Sequence, residues 1–139
     1  MAESAVTSRV TITINGNETI ELNKGISDIT FKHDSDDKTK ALDIDSVTGI
    51  LVNGKIEKAN KDATLQLAKW SIQTSGTDLY RNVTVSIVDN EGLVVRQFEF
   101  SEMFVVDYLE VFDASNDDEA KFTLKLYQRK NNPEIEIYA

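Results

Sequence analysis

The sequence predicts a mainly β, antiparallel domain carrying one short α-helix, and three observations predict it. Apolar and polar residues alternate with a period of two over most of the chain, as in strands with one dry and one wet face. Turn signals at Asn15-Gly16-Asn17 and Asp89-Asn90-Glu91-Gly92 punctuate the runs at hairpin spacing. One stretch, Asp62–Ile72, departs to helical spacing. The chain has 139 residues, 40% hydrophobic and 28% charged, so residues 1–139 are expected to form one globular domain with a real core.

In chain order, Val10, Ile12 and Ile14 alternate with Thr11 and Thr13, and the first turn leads into Thr19–Leu22. His33–Lys40, "HDSDDKTK", is the most polar stretch and reads as a long exposed loop. Leu42–Ile56 reads as a strand pair or bent strand broken at Gly49 and at Asn53-Gly54. In the helical segment Asp62 is a plausible N-cap, and Leu65, Ala68 and Ile72 share a face. Leu67 and Trp70 fall off that face, so the helix would be buried on more than one side; a short strand is the rival reading. Val83, Val85 and Ile87 begin the second half, Phe122, Leu124 and Leu126 follow, and Ile135 and Ile137 close it. Pro133 falls between the last two strands, where it interrupts no ladder, and Ala114–Glu119 is a second polar loop.

Composition removes several classes of function. Zero Cys excludes disulfides, thiolate nucleophiles and Cys-ligated zinc, and fits a cytosolic origin. A net charge of -9 argues against nucleic-acid binding, which needs a basic face. No basic and apolar leader opens the sequence, so no signal peptide is expected. No apolar run approaches the roughly 18 residues of a membrane helix. The sequons at Asn17 and Asn82 read as chance matches in a Thr-rich β protein.

Candidate chemistry is sparse. His33 with Asp34, Asp36 and Asp37 suggests a metal site, but a calcium loop needs a Gly near its sixth position and a Glu near its twelfth. Neither stands at that spacing, and zinc would need more than the one His present. A Ser–His–Asp site would have to use His33, in the most solvated segment. No phosphate-cradling glycine loop and no His-Glu-x-x-His occurs. No metal or cofactor is expected.

"EFSEMFVVDYLEVFD", residues 99–113, is the stretch that could hold an acid pair, at Glu102, Asp107 and Glu110. Strict alternation puts Glu102 and Glu110 on one face and Asp107 on the other. The same alternation gives the strand two apolar faces. Phe98, Phe100, Phe104, Val106, Tyr108 and Phe112 lie on one, and Met103, Val105, Leu109 and Val111 on the other. The second face needs a cover: the helix, a neighbouring subunit, or both. Met103, Val105, Leu109 and Val111 are therefore candidate interface residues.

From Leu65 to Tyr138 the order of features resembles the Hcp-like tube proteins of contractile injection systems, including type VI secretion tubes and phage tail tubes. The residues that carry the likeness are a Trp-bearing segment, "YRNVTV", a D-x-x-G hairpin, "VRQFEF", "FVVDY", an acidic loop and "FTLKLYQRK". The resemblance implies an antiparallel β-barrel with one flanking helix. It also implies rings, likened to homohexamers, that stack head to tail. Stacking would use protruding loops, for which the segment holding His33, Asp34, Asp36, Asp37 and Lys38 is the candidate. Sheath, baseplate or spike proteins and lumenal cargo would be the further partners. The chain would be made in the cytoplasm and exported, if at all, within a particle. Two other readings stand beside it: a monomeric β-sandwich module binding carbohydrate or peptide, and a small hydrolase using Glu102 or Asp107.

Overall fold

The computed structural model describes residues 9–34, 47–76, 78–115, 119–130 and 134–139. The strands are β1 (Arg9–Asn15), β2 (Ile20–Leu22), β3 (Ile26–Asp34), β4 (Val47–Lys55), β5 (Arg81–Val88), β6 (Val94–Asp113), β7 (Glu119–Gln128) and β8 (Ile135–Tyr138). The helix α1 (Lys61–Ser71) follows a 3-10 turn at Lys58–Asn60. All pairings are antiparallel, in the order β2-β1-β5-β6-β7-β4-β3, with β8 also on β6. Mostly antiparallel sheet with a single short helix is what the alternation predicted. The sheet is not closed by hydrogen bonds, however, because β2 and β3 end the path without pairing to each other.

The 20-residue strand β6 is the corner of the molecule. Its first half pairs with β5 on one edge and β8 on the other; its second half pairs with β7. One strand therefore belongs to two layers, β2-β1-β5-β6-β8 and β6-β7-β4-β3. Their inner faces enclose Ile12, Ile14, Val83 and Val85 from the first layer and Ile50, Val52, Leu124 and Leu126 from the second. β3 lies across the first layer: Phe31 stacks on Phe98 with ring centroids 4.6 Å apart and on Phe100 at 6.1 Å.

The helix fills the gap between β2 and the second half of β6, both of which it touches. Its inward residues are Thr64, Leu67 and Trp70, all buried, whereas Leu65 and Ile72 are exposed. The helix is thus present, but the buried face is the one alternative to Leu65–Ala68–Ile72. Position 60, not Asp62, is the N-cap. Buried Asn60 accepts from the Glu57 amide at 2.8 Å and donates to the carbonyls of Lys24 and Lys55 at 2.9 and 2.7 Å. That satisfied amide ties the β2–β3 turn and the end of β4 to the helix start, and makes no cap bond to the helix amides.

Two other sequence expectations change. Gly49 and Gly54 do not break β4; both lie inside it, opposite Tyr127 and Phe122 of β7. A Cβ on Gly54 would come within 2.7 Å of the Phe122 ring, and one on Gly49 within 2.6 Å of Tyr127. The glycines thus give room to aromatic neighbours. His33 and Asp34, expected to open a long loop, are instead the last residues of β3, and residues 35–40 lie outside the described residues. The alternation of β3 was hidden by a register shift between Ile26 and Asp28.

Candidate self-association surface

The stretch 99–113 is re-phased twice. Phe100 faces Val83 and Met103 faces Arg81, so two residues of β6, Ser101 and Glu102, oppose the single Asn82. Glu102 carries the bulge with φ 52°, a left-handed backbone uncommon for a residue with a side chain. Its amide donates to Asn82 Oδ1 at 3.1 Å, and Arg129 holds both its carbonyl and its carboxylate at 2.9 Å. A second shift falls at Val106, between the pairs Val105–Leu126 and Asp107–Lys125.

The two shifts swap faces for a short segment and then swap back. Phe98, Phe100, Met103, Val105, Tyr108, Glu110 and Phe112 have inward parity, and Phe104, Asp107, Leu109 and Val111 point outward. Met103 is accordingly 0% exposed in the chain's own core, and Val105 packs against that core. Met103 therefore offers no surface of its own, whereas Val105 is only partly buried. Phe104 meets the edge of the Tyr80 ring at 5.9 Å. Leu109 and Val111 remain 54% and 50% exposed. Phe112 is 67% exposed although it shares parity with half-buried Tyr108. Apolar residues thus stand exposed on both faces of the end of β6, Leu109 and Val111 on one and Phe112 on the other, with partly buried Glu110 between them.

The three carboxylates do not form an acid pair. Glu102 is ion-paired with Arg129 at the bulge. Glu110 accepts from the Tyr108 hydroxyl at 2.6 Å, and Asp107 lies exposed opposite Lys125. Burial first, and then the bond to Glu110, pushes the Tyr108 phenol well above its ordinary value. Among the described residues no group of His, Asp and Glu is placed to hold a metal ion. His33 stands exposed at the end of β3 with Nδ1 2.7 Å from Thr48 Oγ1. The Lys32–Asp34 pair beside it, at 3.9 Å and largely exposed, contributes little. Asp36, Asp37 and Lys38 lie outside the described residues.

Two apolar residues expected on a dry strand face are partly exposed. Ile135 and Ile137 of β8 are register partners of Phe100 and Phe98 and so share their inward face, yet are 36% and 45% exposed. Beside them Tyr138 is pushed up to about 12, first by its hydrogen bond to Glu99. At the opposite edge a cleft of about 470 Å³ opens between the start of β3 and residues Arg9, Val10 and Ile87. The signal for these positions was ordinary alternation; β8, paired only with β6 among the described residues, lies at the end of its layer.

An open antiparallel β structure with one helix, bulged along a shared corner strand that ends in exposed apolar residues, defines a mainly β protein. The fold is that of the Hcp-like tube proteins. The chain is similar to a type six secretion system protein (TM-score 0.64, 11% identity, 94% of this chain and 83% of that one). It is also similar to Hcp1 from Salmonella typhimurium (TM-score 0.57, 10% identity, 94% of each chain). A third likeness is to a chain of the sheath–tube complex of the extracellular contractile injection system PVC (TM-score 0.54, 17% identity, 94% of this chain and 88% of that one). No family model and no curated protein sequence matches the chain.

Proposed function

We propose that the protein is a non-enzymatic structural subunit that self-assembles into rings, stacked as the inner tube of a contractile injection machine of type VI or phage-tail-like kind. The observation that carries this reading is the near-complete coverage of both chains in the likeness to sheath–tube, baseplate and type VI proteins. The exposed Leu109, Val111 and Phe112 at the end of β6 support it, because apolar residues exposed on both faces of a strand are stabilised by a partner. In this reading Leu109 and Val111 face a neighbouring subunit of a hexamer. The polar segment from His33 and Asp34 through Asp36, Asp37 and Lys38 meets the next ring. Met103 and Val105 act only by holding the strand in place. The same residues 1–139 form one tube domain, made in the cytoplasm, with sheath, baseplate or spike proteins outside and cargo within the lumen.

Size-exclusion chromatography with light scattering, followed by negative-stain imaging, tests the proposal. Rings or stacks at the mass of several subunits are expected. A strictly monomeric species at high concentration would remove the tube and favour a lone binding module.

A further inference from the structure

We infer that Asn15 is a site of spontaneous deamidation through which the chain slowly loosens its own Asp78–Arg81 cluster. Asn53, also followed by glycine, is protected by the fold.

The chemistry is intramolecular and needs only water. The Gly16 amide nitrogen, having lost its proton to hydroxide, attacks Asn15 Cγ. The N–Cγ bond forms, the Cγ–Nδ2 bond breaks, and ammonia leaves. Water then opens the five-membered imide. Cleavage of the N–Cγ bond gives aspartate in an ordinary main chain. Cleavage at the main-chain carbonyl gives isoaspartate, whose backbone runs through Cβ and Cγ and is one carbon longer. Glycine favours the closure because it has no Cβ in the way and the widest choice of φ and ψ.

The sequence holds two such pairs, Asn15-Gly16 and Asn53-Gly54, and the structure treats them differently. Asn53 lies inside β4, with β3 on one side and β7 on the other. Its Nδ2 donates to Asp28 Oδ1 at 3.0 Å, and its Oδ1 accepts from Thr123 Oγ1 at 2.8 Å. Gly54 is paired on both sides, and a Cβ there would meet the Gly25 carbonyl and the Phe122 ring. Leaving group and attacking peptide are both held, so closure at Asn53 requires the sheet to open.

Asn15 is the reverse case. It is exposed at the end of β1, and among the described residues its side chain makes no hydrogen bond. Its pairing with Asn82 is the last of the β1–β5 ladder, and Gly16 begins the bend beyond it. Turning this peptide toward the side chain frays one rung at most.

The position gives the reaction a consequence. Gly16 packs directly on the ion pair: a Cβ there would lie 2.7 Å from Asp78 Oδ1 and 3.0 Å from Arg81 Nε. One residue on, the Asn17 amide donates to Asp78 Oδ1 at 3.0 Å. Isoaspartate places its extra carbon between the last β1–β5 rung and that bond, so the two no longer fit together unchanged. A new carboxylate also enters the cleft that Asn15 lines with Glu99, Glu134 and Glu136, where like charges repel. Both changes weaken the hold of the turn on Asp78.

Trypsin separates the two pairs, because cleavage after Arg9, Lys24, Lys40 and Lys55 puts Asn15 in residues 10–24 and Asn53 in residues 41–55. The full chain is held at mildly alkaline pH, native or in denaturant, and sampled over days. Chromatography with tandem mass spectrometry resolves isoaspartate from aspartate and assigns the change to Asn15 rather than Asn17 or Asn23. In denaturant both pairs should convert at similar rates. In the native protein Asn15 should convert roughly tenfold or more faster than Asn53, where two side-chain bonds and the ladder must open first. Equal native rates, or a native Asn15 that stays intact while the denatured chain converts, overturn the assignment. Aged protein should also unfold at a lower denaturant concentration than fresh protein. Asn15→Gln, whose longer side chain closes a ring far more slowly, should age without that shift. A midpoint unchanged after Asn15 has converted, or one that falls equally in Asn15→Gln, overturns the link to Asp78 and Arg81. None of these readouts requires rings to form, so the tube reading stands or falls separately.

Discussion

Replacing Asp78 with Ala is the sharpest probe of how this fold is held. Arg81 is 9% exposed and its Nη2 lies 2.7 Å from Asp78 Oδ2, whose side chain is 15% exposed. The guanidinium also donates through Nε to the Asp78 carbonyl at 2.9 Å and sits 4.8 Å over the Trp70 ring. The other Asp78 oxygen accepts the Asn17 amide at 3.0 Å, pinning the β1–β2 turn. Gly16 completes the fit, since a Cβ there would come within 2.7 Å of Asp78 Oδ1. One carboxylate thus joins β5, the first turn and the helix that closes the gap between layers.

Removing it leaves a buried cation with only carbonyl, amide and ring partners. Breaking a buried pair from one side costs about 3–5 kcal/mol, and the low exposure of both groups leaves little solvent screening to reduce it. For a chain of this length that lowers the thermal midpoint by roughly 10–20 °C. Asp78→Asn keeps the acceptor for Asn17 and should cost less, about 2 kcal/mol. The double variant Asp78→Ala, Arg81→Met should recover part of the loss, because an apolar side chain in that slot carries no uncompensated charge. Denaturant unfolding followed by Trp70, the sole tryptophan, reads each value directly. Measuring at two protein concentrations separates the subunit's stability from that of any assembly. A loss below about 1 kcal/mol for Asp78→Ala, or a double variant no more stable than Asp78→Ala, would refute the argument.

Two more predictions separate core from surface and test the tyrosine. Met103→Ala should destabilise the subunit by about 2–5 kcal/mol through cavity formation, whereas Leu109→Lys should leave the unfolding midpoint of the monomer nearly unchanged and reduce assembly in light scattering. The reverse pattern would mean that the bulge at Glu102 does not re-phase the strand. Because the folded-state value of Tyr108 is raised above its unfolded one, its contribution to stability is complete below about pH 10 and declines above it, where the unfolded chain releases the phenol proton first. Unfolding followed from pH 8 to 11 should show that decline, and Tyr108→Phe should flatten it; an identical slope in both proteins would discount the buried phenol as its source.

Residue type and spacing carry strand content well here, and pairing poorly. Ile12, Ile14, Val83, Val85, Leu124 and Leu126 alternate without interruption, and all are buried in the core. The helix was readable from spacing, but its buried face was not, because Leu65, Leu67, Trp70 and Ile72 supply apolar residues all round. Position 60 joins three segments that are remote in the chain, a role no local pattern announces. The carboxylates show the same limit. Glu102, Asp107 and Glu110 are close in sequence, but their partners Arg129 and Tyr108 are set by register and bulge, which separate them into unrelated contacts.

By itself the sequence determined that this is an antiparallel β protein with one helix, without cysteine chemistry, and with one strand too apolar for a single dry face. Only the tertiary structure decided that Met103 lies inside and Leu109 outside. The physical reason is that period-2 parity holds only while each residue meets one partner. At Ser101–Glu102 and again at Val106, β6 has one residue more than the strand beside it, and a surplus of that kind exists only once the two strands are paired.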